Sequence, residues 1–202
     1  MRIRVSLLAF IVLFISACTM GDGTTEPVSI RITSPNGSEP TPTHANLPFA
    51  NQFPNRWNPS NDGTPFEPCV AFSDEELLRF DVDPSVVEDA AQVDGQGIRG
   101  CLWLMPDLFT LGVVVTNAES LAQYKAGMPE IDWKPDLNVG GRVVGLAVLN
   151  DDDAACMTYV ESMESVVVVD VGIVGGAEVR EAYDPCKIAV DFTSTYADKI
   201  PE

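Results

Sequence analysis

Apolar residues change their rhythm twice along this 202-residue chain. From Val5 to Ile15 they run almost unbroken, interrupted by Ser6 alone. From residue 19 to about residue 64 large apolar side chains thin out among proline, threonine, serine and asparagine. Beyond residue 65 they return at spacings that mark secondary-structure elements. Ser73-Asp74-Glu75-Glu76 is a capping box followed by Leu77, Leu78 and Phe80, which predicts a short helix from Asp74. Asp83-Pro84, with Val86, Val87, Ala90 and Ala91 behind it, predicts a second helix with Asp as cap and Pro in the first turn. Residues 101–105 and 109–116 read as strands. Thr116 to Glu119 forms another capping box, opening a helix through Leu121 and Tyr124 that Gly127 ends. Residues 142–149, 155–161 and 165–174 are valine-rich and joined by short polar turns, the signature of an antiparallel meander. Asp184-Pro185 starts a last helix, on which Cys186, Ala189, Val190, Thr193 and Tyr196 recur at helical spacing.

Helices and strands therefore come in blocks. The expected class is α+β, with an antiparallel sheet of about five strands, helices packed on one face, and two disulfides.

The first apolar run has a different meaning. Arg2 and Arg4 precede it, and at 11 residues it is too short for a spanning helix, which takes roughly 20. It ends in Ile15-Ser16-Ala17-Cys18, which resembles the bacterial lipobox. Residues 1–17 are thus expected to be a cleavable signal peptide, with Cys18 lipid-modified and anchoring the chain to the outer face of the cell membrane. Two acyl chains on one residue hold stably where a single chain binds reversibly.

Nine of the fifteen prolines lie between Pro27 and Pro68. A stretch so poor in large apolar residues cannot bury enough surface to offset its ordering entropy, so residues 18–64 are expected to be a disordered tether with a reach of roughly 35 to 40 Å. Residues 65–202 have the size of one domain. From Pro65 onward there are 26 acidic and 8 basic residues, so the domain carries the full formal charge of −18. Such a charge disfavours nucleic acid and close contact with anionic lipid.

After Cys18 four cysteines remain, Cys69, Cys101, Cys156 and Cys186. An even count in an exported domain reads as two disulfides, with three pairings open. Cys69 with Cys101 and Cys156 with Cys186 are favoured because both are sequence-local, each closing a loop worth roughly 3 to 4 kcal/mol in chain entropy. Zinc is the competing reading, yet none of these spacings approaches the short pairs that zinc sites use.

Other motifs have plainer explanations. Gly95, Gly97 and Gly100 match G-x-G-x-x-G, but a strand follows where a nucleotide-binding loop needs a helix, so they read as a turn. Asn150 to Asp153 lacks the glycine and distal glutamate of a calcium loop and reads as a hairpin tip. The one histidine, His44, falls in the tether, which removes histidine-based triads and metal sites from the domain. Cys186 at a helix N-terminus would be a reactive thiol if free; Trp103 reads as packing. No cofactor and no metal site is expected.

Glu67-Pro68-Cys69, Val82-Asp83-Pro84, Gly100-Cys101-Leu102-Trp103 and Asp184-Pro185-Cys186, with Lys187-Ile188-Ala189 behind the last, resemble an actinobacterial lipoprotein family catalogued as domain of unknown function 3558. The resemblance spans residues 67–196, with Glu67 standing where the family usually has aspartate. It implies a lipobox, a tether and disulfides, and no established activity or ligand. The expected function is a lipid-anchored, non-enzymatic binding or accessory module of the cell envelope, whose partners are the membrane, through Cys18, and an envelope protein or small ligand. The alternative is a carboxylate-dependent hydrolase of an envelope polymer, which requires two acids flanking a cleft.

Overall fold

Runs of valine buried on both faces build the centre of the molecule, a seven-stranded antiparallel sheet ordered β1-β2-β3-β7-β6-β5-β4. Its strands are β1 Val87–Asp89, β2 Arg99–Leu104, β3 Phe109–Val115, β4 Asp132–Val139, β5 Arg142–Leu149, β6 Ala155–Ser162 and β7 Ser165–Ile173. The computed structural model describes residues 46–202 apart from 117 and 150–153. The chain divides into two units, Met1–Glu39 and Pro40–Glu202, and every described residue lies in the second. The expected signal peptide, Cys18, residues 19–45 of the tether with His44, the Asn150–Asp153 tip and Asn117 of the second capping box lie outside the described residues.

The strand count exceeds the expected five because β1 and β4 are masked in the sequence. Residues 87–89 lie behind a helix-like Asp83-Pro84 start, but Asp83 instead closes a turn by accepting from the amide and hydroxyl of Ser85. The chain then pairs with β2, Val87 opposite Trp103. Strand pairing here overrides local helix signals. β4 contains Pro135, and the sheet accommodates it at an edge with a register shift between Lys134 and Leu137.

Among the described residues five α-helices and a 3-10 turn at Ala197–Lys199 complete the domain: α1 Pro68–Ala71, α2 Asp74–Leu78, α3 Leu121–Gly127, α4 Ala177–Ala182 and α5 Pro185–Tyr196. The Ser73 to Glu76 capping box caps α2 as its sequence requires. Asp184 caps α5 by accepting from the Lys187 amide at 3.0 Å. The helix expected to open at the Thr116 box starts later, with Ser120 as its cap. Thr116 is instead drawn into the sheet margin, its amide and hydroxyl both donating to the carbonyl of Val166.

The helices also divide between the two faces. On β6, Cys156 and Thr158 point to α5, bonded to Cys186 and hydrogen-bonded to Thr193 respectively. The alternate residues Tyr159 and Glu161 point the other way: the Tyr159 ring meets Tyr124 of α3 at 4.9 Å, and Glu161 accepts from the Leu121 amide at 2.8 Å. Gly145 makes the second docking possible, since a Cβ there would lie 2.7 Å from a Leu121 methyl. The main core on the α5 side holds Trp103, Phe109, Leu111, Val113, Phe192 and Tyr196. Around it Phe72, Phe80, Phe192 and Tyr196 meet with centroids 4.9 to 5.7 Å apart. Trp103 is buried there, edge-on to Phe72.

Residues 46–64, expected to end the tether, pack on the domain. Arg56, Asn61 and Thr64 are buried, and a Cβ on Gly63 would collide with the carbonyl of Glu164 at 2.3 Å. Prolines and asparagines here shape turns under side-chain bonds, such as Asn61 donating to the Arg56 carbonyl.

Candidate functional site

Both disulfides are the sequence-local pairs, Cys69 with Cys101 and Cys156 with Cys186. They tie α1 to β2 and α5 to β6, so Cys186 is committed to structure. Gly95 has a φ of 73° in the turn before β2, and a Cβ on Gly100 would lie 2.2 Å from the Val113 carbonyl oxygen. These glycines serve a turn and a close strand contact, with β1 rather than a helix before them.

The lead-in segment is held by a buried ionic cluster. Arg56 makes a fork-to-fork pair with Glu67 at 2.8 and 3.2 Å, and its Nε donates to Asp89 at 3.0 and 3.1 Å. Arg99, fully enclosed, donates to the carbonyls of Asn61, Thr64 and Phe66 and shares Glu67 at 3.3 Å. Its guanidinium stacks 3.6 Å from the Trp57 ring centre. Burial lowers the Arg99 pKa to about 10, with Glu67 opposing and Arg56 adding to the shift. At Arg56 burial also works against the charge, but Glu67 and Asp89 outweigh it and the pKa rises. Two cations and two carboxylates thus satisfy each other, and this cluster is a clamp with no free group to offer a ligand.

The other notable polar group is not satisfied. Asp170 stands in the valine run of β7, on the face opposite α5, between Gly112 of β3 and Met157 of β6 across the strands. Among the described residues its Oδ1 is a buried side-chain oxygen without a hydrogen-bond partner. Burial raises its pKa to about 6. The phenols of Tyr124 and Tyr159 lie close enough for its charge to add to the upward shift that burial gives them. The Trp133 ring lies tilted against Tyr159 with centroids 4.7 Å apart, and the Tyr159 hydroxyl donates to the Met157 sulfur at 2.9 Å and not to the carboxylate.

Asp170 marks a border on its face. On one side α3 covers Tyr159, Ala147, Val166 and Val168. On the other, Leu102, Leu104, Thr110 and Gly172 remain half-exposed. Gly112 keeps the floor beside the carboxylate low, since a Cβ there would stand 3.8 Å from Oδ2.

The family model described as "Protein of unknown function (DUF3558)" matches residues 13–198. The chain belongs to this family. Among curated proteins and solved structures nothing matches it. The family match takes in the ionic clamp, both disulfides and Asp170, so the family's domain reaches back past residue 65 into the lead-in segment.

Neither Asp170 nor the clamp was apparent from motifs. The signals are nonetheless present: a single acid inside a run of valines, and Phe49, Phe53 and Trp57 in a segment whose proline content suggests a tether. Disordered tethers are poor in aromatic residues.

Proposed function

We propose that this chain is a lipid-anchored module of the cell envelope that binds a ligand on the α3-free half of its second sheet face, with Asp170 as the polar anchor. The lipobox-like Ile15 to Cys18 supports the address. The observation that carries the binding reading is the unpaired oxygen of Asp170 on a half-exposed apolar surface. Buried polar groups are almost always hydrogen-bonded, and an orphan costs about 1 to 3 kcal/mol. A ligand with an ammonium or other N–H donor on an apolar body would supply the missing partner and bury Leu102 and Leu104 at once.

Hydrolysis by a carboxylate pair fits this site less well. The positions facing Asp170 across the strands are Gly112 and Met157, and its neighbours on the same face of β7 are Val168 and Gly172. None of these four is an acid, so no second carboxylate stands directly beside Asp170 in the sheet. The test is photo-crosslinking in intact cells from residue 102 or 110, in the natural chain and in Asp170→Asn. The reading expects a discrete adduct in membrane fractions that Asp170→Asn abolishes. An adduct indifferent to Asp170→Asn, or none, contradicts it.

A further inference from the structure

The structure offers a second surface, at the β1 edge of the sheet, where Glu88 adjoins the Asp170 face beside Leu102. A cleft of about 530 Å³ runs between the lead-in segment and the sheet edge, walled by Phe49 and Phe53 on one side and by Val87, Glu88, Asp89 and Ala91 on the other. Its size is that of a ligand pocket. Its β1 wall is an open strand edge, because β1 ends the sheet.

The pairing pattern fixes what that edge presents. Leu104 donates to the carbonyl of Val86, and Ala90 donates to the carbonyl of Gly100. In an antiparallel ladder hydrogen-bonded positions alternate, so 86, 88 and 90 turn their amides to β2 while Val87 and Asp89 turn theirs away from it, into the cleft. Among the described residues no backbone hydrogen bond joins residues 49–53 to β1. The opposite edge of the sheet is treated differently: β4 carries Lys134, Pro135 and a register shift, devices that blunt strand addition. β1, three residues long, has neither lysine, proline nor a register shift.

Charge narrows the occupant. The Asp89 carboxylate is already engaged by Arg56, whereas Glu88 is exposed at the cleft wall, and the chain as a whole carries −18. We propose that this cleft binds an extended cationic peptide segment, which adds to β1 as an eighth strand. Its backbone pairs with Val87 and Asp89, its apolar side chains rest on Phe49 and Phe53, and a basic side chain meets Glu88. This is strand addition with side-chain selection at alternate positions.

The test uses the native full chain and a blocked hexapeptide of alternating valine and arginine. Calorimetry gives the affinity, and amide hydrogen exchange locates the contact. The expected results are binding, slowed exchange at Val87 and Asp89, at least a tenfold loss when alternate peptide amides are N-methylated, and a roughly threefold to tenfold loss in Glu88→Gln. Asp170→Asn should leave this binding unchanged, which separates it from the ligand face. Equal binding of the N-methylated peptide overturns the proposal, as does absence of binding at millimolar peptide. Protection of the same amides that rises with protein concentration alone would assign the edge to a second copy of the chain and overturn it as well.

Discussion

Arg56 and Glu67 meet fork to fork with side-chain exposures of 4% and 8%, joining a residue of the proline-rich segment to the cap of α1. Glu67 also accepts from the Cys69 amide, and Arg56 reaches the Cys69 sulfur at 3.2 Å, so the clamp and the first disulfide form one unit. The folded domain therefore starts before its first domain cysteine, and residues 46–64 are part of what holds it together.

Arg56→Ala would leave Glu67 with Arg99 alone and Asp89 without a cation. Truncating one partner of a buried pair typically costs about 3 to 5 kcal/mol. Urea denaturation should show a loss of that order, and limited proteolysis should open new cuts between residues 46 and 64. A change below about 1 kcal/mol with no new cuts would mean the segment is not clamped.

The second disulfide closes a loop of 30 residues between β6 and α5. The double variant Cys156→Ser, Cys186→Ser should lose roughly 3 to 4 kcal/mol on chain-entropy grounds. Because Ala189, Phe192 and Tyr196 still bury α5 in the core, near-native circular dichroism should persist at low temperature. Unchanged thermal stability would show that helix packing alone supplies the constraint.

How legible these features are in sequence depends on where their partners lie. α2 and α5 carry their own caps, Ser73 with Glu76 and Asp184 with Pro185, and both stand where the local chemistry puts them. β5 and β7 are similarly self-evident from their valines. β1 is three residues long and exists because β2 has a free edge, a fact held by residues 99–104 and not by 87–89. The lead-in segment is ordered by Arg99, 43 positions after Arg56, and no local window contains that partnership. α3 reaches the second face because Gly145 leaves room for Leu121. Asp170 is visible as a charge among valines, but its isolation depends on Gly112, Met157 and two tyrosines from three other elements.

Asp170 gives a pH signature of defined sign. Its folded pKa, about 6, lies above the ordinary value of 3.8, so its contribution to stability is complete below about pH 4 and is lost as pH rises through 6. Between pH 4 and pH 7 this group alone should destabilise the domain by about 1 to 3 kcal/mol. Asp170→Asn should accordingly melt higher than the natural chain at pH 7 and close to it at pH 4. A variant less stable at pH 7 would indicate that the carboxylate has a structural partner. Glu76 works in the opposite direction: Lys199 first, and the Ser73 amide with it, hold its pKa at about 2, so its contribution is present at neutral pH and lost as pH falls through 2.

The account rests on Asp170 holding one buried, unpartnered carboxylate oxygen that awaits a ligand. The most direct measurement is a carbon-13 NMR titration of its side-chain carboxyl in the ligand-free native protein. A midpoint near pH 6, absent from the spectrum of Asp170→Asn, is the predicted result; a midpoint at or below the ordinary value of 3.8 would mean the group is already solvated or paired, and would contradict it.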